Sequence, residues 1–237
     1  MDKKGKIYLI PTTIAPGTEQ QVLPLQITEA IRKLEYFLTE NIRSARRFIS
    51  SLNLDVDIQR LKFEALNKHS TPEDISYLMK PILDGRNAGV LSESGCPGIA
   101  DPGARVVASA HRLNIKVVPL VGPSSLLLAL MASGFNGQSF VFHGYLPIDK
   151  SERVKKLKVL EREAYNRDQT QIFIETPYRN NQLFKSIVQT CRPETLLCIA
   201  KNLTHRHEEV RSLSVAQWQK AQTSFEKLPM IFLIYHS

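Results

Sequence analysis

Residues 92–106 read SESGCPGIADPGARV, and they leave a short apolar run at 88–92. Three glycines, two prolines and two carboxylates follow a stretch whose letters suit a buried strand. Glycines let main-chain N–H and C=O groups approach a ligand closely, and in an open α/β sheet ligands sit at the carboxyl ends of the strands. A tight connection into a helix over 104–113 would use the same letters. Either use makes the segment a strand, a loop and a helix, the unit from which α/β folds are built.

The unit recurs on both sides. Upstream, 7–10 is a strand, and Ile27, Ile31, Leu34 and Leu38 recur at helical spacing, with an extended stretch ending near Glu40. A helix is expected over 43–52 and an extended stretch over 63–66. Thr71, Pro72 and Glu73 supply a cap, a first-turn proline and a first-turn acid for a helix running to about 83. Downstream, 115–121 is a strand that ends in Gly122-Pro123-Ser124-Ser125, where a serine can cap the helix expected over 126–131 or bind a polar ligand group. Strands are expected at 140–142, 171–175, 196–200 and 230–235, and helices at 152–164, 181–190 and 214–221. The class is α/β, divided into an N-terminal domain, 1–121, and a C-terminal domain, 122–237.

With 237 residues, 43% of them hydrophobic, the chain can bury a sizeable core. Its formal charge of +8 is spread along the sequence, with an excess of +3 before residue 120 and +5 after. That balance fits a polyanionic partner such as RNA, and equally a basic surface without one. Cys96, Cys191 and Cys198 follow neither a disulfide framework nor paired metal-ligand spacing and are read as reduced thiols. The apolar stretch before Pro11 is too short for a secretory signal, which points to the cytoplasm. Residues 117–148 lack Asp, Glu, Lys and Arg, but Pro119, Gly122 and Pro123 break a spanning helix, so no membrane segment is expected. His205 and Glu209 lie in a segment that reads as extended, which separates them too far to share one ion, and no metal site is expected.

Six segments in order, YLIPTTI, LTENIRSARRFI, SESGCPGIADPG, GPSSLLLALMASG, GYLP and ETPYR, carry a resemblance along nearly the whole chain. The sequence resembles the bacterial 16S rRNA cytidine 2′-O-methyltransferases of the tetrapyrrole-methylase superfamily. The resemblance implies two α/β domains with S-adenosylmethionine in the cleft between them, and a homodimer. It implies that the loop holds the cofactor through its backbone and Glu93, together with Ser94, Gly95, Ile99 and Asp101. Pro11 joins from the first proline loop and Glu175 from FIETPYR. Ser124 and Ser125 would lie beside the amino-acid end, and Leu146 and Pro229 would line the adenine pocket. A sulfonium gains from carbonyl oxygens and a nearby carboxylate, and adenine from apolar walls.

The chain departs from that family's pattern at several places. Where the family carries A-E-D-T-R, this sequence has Thr39, Glu40, Asn41, Ile42 and Arg43, so the glutamate and arginine remain and the aspartate is lost. Its S-D-A-G becomes Ser92, Glu93, Ser94 and Gly95. An acidic run becomes Ala200 to Thr204, a histidine-asparagine-glutamate turn keeps only His69, and the small helical domain appended in many relatives is not expected. The cofactor site looks retained and the acceptor site altered.

Methyl transfer is an in-line displacement that chiefly requires alignment, while a ribose hydroxyl benefits from a positioned base. Glu40, Glu93, Glu175 and His69 are the candidates. Glu40 and Arg43 are taken as the catalytic pair. Arg43, Arg46, Arg47 and Arg179 are expected to contact RNA phosphates, with Glu40, Arg43 and Arg47 spaced for one helical face. The same charges are also compatible with an ordinary ion pair on a helix surface. A methylase of a tetrapyrrole or other small molecule, and a cofactor-binding module without catalysis, are the alternative functions.

Overall fold

The computed structural model of the chain describes residues 4–221 and 223–236. The chain divides into two compact units, Met1–Ser124 and Ser125–Ser237. Each has its own five-stranded sheet.

In the first unit, β1 (Lys6–Ile10) leads through a single turn, α1 (Glu19–Val22), and α2 (Leu25–Arg32) to β2 (Tyr36–Thr39). Next come α3 (Ile42–Ser51), β3 (Lys62–Ala65), α4 (Pro72–Leu83), β4 (Ala88–Leu91), α5 (Gly103–Arg112) and β5 (Lys116–Pro119). All strands are parallel, in the order β3-β2-β4-β1-β5. Parallel sheets bury both faces, so their strands read as continuous apolar runs. Thus every residue of β2 and β4 is buried. Alternate residues serve opposite layers. Ile7, Tyr36, Leu38 and Val90 pack under α4 and α5 with Ile75, Met79 and Val106, whereas Ile10, Phe37 and Leu91 pack under α2 and α3 with Ile27, Ile31 and Ile49.

One local expectation is corrected. The Ile27-Ile31-Leu34-Leu38 spacing continues a helical period past the end of α2, but Leu38 lies in β2. A strand buried on both faces offers an apolar residue at every position, so it matches a period of four by chance. Thr71 caps α4 in a reciprocal capping box with Asp74, and Pro72 opens the helix.

The second unit begins with α6 (Ser125–Ser133), followed by β6 (Phe140–Tyr145), α7 (Lys150–Arg167), β7 (Thr170–Glu175) and α8 (Asn180–Thr190). It ends with β8 (Leu196–Lys201), β9 (Glu209–Ser214), α9 (Val215–Lys220) and β10 (Met230–Tyr235). The order is β6-β7-β10-β8-β9; β6 and β7 are parallel, and the other pairs are antiparallel. Phe173, Phe232, Leu197 and Leu157 centre its core. No helix among the described residues is long and apolar enough to cross a membrane.

Candidate functional site

The topology of the first sheet fixes where a crevice opens. From β1 the chain crosses β4 to reach β2, and from β4 it crosses β1 to reach β5. Neighbouring strands β1 and β4 therefore send their connections in opposite directions, which is the switch point where ligands bind in open α/β sheets. The loops that follow β1, β4 and β5 meet there. Thr12 N–H donates to the Gly95 carbonyl at 3.0 Å, and the Ser92 hydroxyl donates to the same carbonyl at 2.7 Å. The Cys96 thiol points to the Pro123 carbonyl at 3.3 Å, and burial pushes its pKa up, which keeps the donor protonated.

Two glycines make this convergence possible. A side chain at Gly122 would place its Cβ 2.2 Å from Cβ of Pro11, so the β5 loop can lie against the β1 loop only at glycine. Gly95 has φ +73° and would carry a Cβ 3.2 Å from the Pro123 carbonyl oxygen. Within the same loop Gly98 and Ala100 also have positive φ, at +83° and +60°. Asp101 ties the loop: its Oδ1 accepts the N–H groups of Gly98 and Gly103, both at 2.7 Å. Burial raises the Asp101 pKa and these two hydrogen bonds oppose the rise. The bridged backbone leaves Glu93, Ser94 and Ile99 exposed, the last at 52%.

Glu40 stands just beyond the carboxyl end of β2, the strand next to β4. Its pKa is raised by partial burial first and then by the charges of Glu93 and Asp101, with Lys68 acting the other way. The expected helical face is corrected here. Helix α3 begins at Ile42, and Asn41 is its N-cap, with Oδ1 accepting Arg43 N–H at 3.0 Å and Ser44 N–H at 3.2 Å. Glu40 therefore precedes the helix and does not share a face with Arg43 and Arg47, both of which are exposed on α3. No ion pair joins Glu40 to either arginine among the described residues. Arg46 lies over the Phe63 ring, 5.3 Å from its centroid. His69 is exposed in the loop after β3, at the sheet edge and two strands away from the β4/β1 switch point.

In the second unit, one end of the sheet gathers the other expected residues. Met230 pairs with both Glu175 and Lys201, so Pro229, the carboxyl end of β7 and the carboxyl end of β8 share that end. Glu175 is 5% exposed, and its Oε1 accepts Thr176 N–H and Arg179 Nη2, both at 2.6 Å. The cofactor candidate Glu175 and the phosphate candidate Arg179 thus hold each other and fix the FIETPYR turn. Leu146 is 3% exposed within the core, whereas Pro229 lies at the surface. Ser125 is the first residue of α6, with Ser124 just before it.

Arg153 was not legible as a site-supporting residue. It is 2% exposed, and its guanidinium donates to the carbonyls of Pro147 and Ile148 at 3.2 and 2.7 Å and to the Ser186 hydroxyl at 3.1 Å. It thereby pins the loop after GYLP, yet in sequence it is one cation among many on α7. Of the histidine-glutamate cluster, Glu208 accepts Thr204 N–H at 2.6 Å and Glu209 pairs with Lys201 at 2.7 Å.

No family model matches the chain. It is similar to curated proteins called ribosomal RNA small subunit methyltransferase I. The one from Buchnera aphidicola subsp. Schizaphis graminum is 27% identical over 238 residues, covering 99% of this chain and 79% of that protein. The one from Vibrio cholerae is 26% identical over 97% of this chain and 76% of its own length. Among solved structures, the methyltransferase CobJ superposes with a TM-score of 0.64 at 15% identity, covering 98% of this chain and 95% of that one. Uroporphyrin-III C-methyltransferase from Thermus thermophilus, complexed with S-adenosyl homocysteine, gives 0.60 at 14% identity over 98% and 97%. The chain has the fold of these tetrapyrrole methylases.

Proposed function

We propose that this chain is an S-adenosylmethionine-dependent methyltransferase that acts in the cytoplasm on a ribose 2′-hydroxyl of small-subunit ribosomal RNA. The observation that carries the reading is the convergence of the Pro11-Thr12, 92–103 and 120–123 loops at the switch point of the first sheet. The curated relatives that match nearly all of the chain are ribosomal RNA methyltransferases by name, which supports RNA as the acceptor.

The residues present suit the cofactor. Three carboxylates, Glu40, Glu93 and Asp101, lie close enough for the last two to raise the pKa of the first. A cationic ligand relieves that repulsion, and S-adenosylmethionine carries positive charge on its sulfonium and amino groups. When bound, it supplies an electrophilic methyl group that leaves on attack by the acceptor oxygen. Glycine backbone around Gly95 and the exposed Glu93, Ser94 and Ile99 give that ligand contact surface. Glu40, with its raised pKa, is assigned to accept the ribose hydroxyl proton as the O–C bond forms, since a base works best when its pKa approaches the working pH. Arg43 and Arg47, exposed on the first turns of α3, are assigned to phosphate contacts, with Arg46 beside them.

Calorimetry with S-adenosylhomocysteine tests the loop. Wild-type protein should bind it, and Gly95→Leu, which forces a side chain into a positive-φ position against Pro123, should abolish binding while the variant stays folded by circular dichroism. Unchanged affinity in that variant removes the loop from the site.

A further inference from the structure

A pocket of about 580 Å³ opens on the second unit, bordered by the C-terminal half of α7, the connection from α8 to β8, and the end of β10. It lies where β10 finishes, at Tyr235 and His236, whereas Pro229 and Glu175 mark the strand's other end. The five steps of β10 separate the two ends by roughly 17 Å. None of the residues expected to bind cofactor borders it.

Its chemistry is that of a site for a phosphate and an aromatic base. Lys158, Arg162 and Tyr165 follow one another on α7 at spacings of four and three, so they share one exposed face. On the same helix Lys155 pairs with Glu152 and Arg167 with Glu163. Lys158 and Arg162 have no ion-pair partner among the described residues. Arg192 reaches in from the α8–β8 connection, its guanidinium 5.9 Å from the Tyr165 ring centroid. Two carboxylates also border the pocket. Glu161 is occupied by protein donors, accepting Arg192 N–H at 2.7 Å and the Thr195 hydroxyl at 2.5 Å, while Glu194 is exposed on the connection. His236 pairs with Asp168 at 2.9 Å and meets Tyr165 edge-on. Unpaired cations beside an exposed tyrosine, 62% accessible, form the kind of platform on which single-stranded nucleic acid rests.

We propose that this pocket is an accessory nucleotide site that anchors a single-stranded segment of the RNA substrate. One phosphate lies among Lys158, Arg162 and Arg192, and one base stacks on Tyr165. The inference rests on the reading of RNA as the acceptor and adds a second point of attachment far from the β10 end bearing Pro229. A phosphate alone would use the three cations and leave the exposed part of the Tyr165 ring without a ligand contact, which is why a base is included.

Fluorescence anisotropy of the full chain with a labelled oligocytidine, and with an abasic strand of equal length, tests the proposal. Arg162→Ala should weaken both strands and flatten the salt dependence by about 0.7 unit of slope. Tyr165→Ala should weaken oligocytidine about 5- to 150-fold, leave the abasic strand unaffected, and be rescued by Tyr165→Phe. Cytidine monophosphate, with the same phosphate and base but no strand, should compete only in large excess; binding as tight as the strand's would overturn the assignment to RNA. Wild-type affinity and salt slope in both alanine variants, with methyl transfer intact, would overturn the pocket alone. Failure of the wild-type protein to bind S-adenosylhomocysteine counts instead against the methyltransferase reading, because the strand measurement does not depend on it.

Discussion

Glu40 shows how a single residue acquires its chemistry from position. It sits between the end of β2 and the cap of α3, where partial burial and the charges of Glu93 and Asp101 disfavour its ionised form. Below the ordinary carboxylate pKa of about 4, folded and unfolded chains both carry the proton and Glu40 is neutral in its effect. Above its raised folded pKa the carboxylate is ionised in both states and the fold is destabilised. Glu40→Gln should therefore raise the thermal midpoint at pH 7.5, the gain should shrink to nothing as pH falls through the carboxylate range, and methyl transfer should drop. A variant less stable than wild type at pH 7.5 would show that Glu40 is held by a favourable partner instead. The Glu40 position next to a strand end was legible from LTENIRSARRFI, and so was a helix from about Arg43; that Glu40 lies off the arginine face follows once the Asn41 N-cap fixes the helix start at Ile42.

At the scale of elements, α3 gives Asn41 a structural task. Asn41 closes the helix N-terminus through two backbone N–H groups, a task that asparagine and aspartate perform about equally well. Asn41→Ala should lower the unfolding free energy by about 1 kcal/mol in denaturant titration, and Asn41→Asp should leave it nearly unchanged. An equal loss in both variants would mean that the amide does more than cap. Strand β4 was legible because a strand covered on both faces must be apolar throughout, and the same property let Leu38 of β2 pass for a helical position. Thr71-Pro72-Glu73 was legible because capping chemistry is local. Arg153 was not, since its burial depends on Ser186, which lies 33 positions away, and on carbonyls of a loop whose path the sequence does not encode locally. The Glu175–Arg179 pair escaped for a related reason. Spacing alone does not distinguish two free charges from two that neutralise each other on a turn.

For the whole molecule, the apolar residues left at the surface bear on assembly. Helix α6 is apolar on nearly every side, and Leu127 and Met131, one turn apart, are 52% and 79% exposed. Exposed apolar stripes of this kind mark protein contact surfaces. We propose a homodimer that uses this stripe. Light scattering at roughly 50 µM, above the dissociation constants of standard interfaces, should give twice the mass of 26.8 kDa, and Met131→Glu should return it to that value. A monomeric mass for the wild-type protein at that concentration would contradict the dimer. The central claim is methyl transfer to RNA, and labelled transfer from S-adenosylmethionine tests it most directly, with small ribosomal subunits, bulk RNA and tetrapyrrole precursors offered as acceptors in parallel. The account predicts label in small-subunit ribosomal RNA, at a nucleotide whose 3′ linkage becomes resistant to alkali because its 2′-hydroxyl is methylated. Label confined to the tetrapyrrole, or absent from every acceptor despite tight S-adenosylhomocysteine binding, would contradict it.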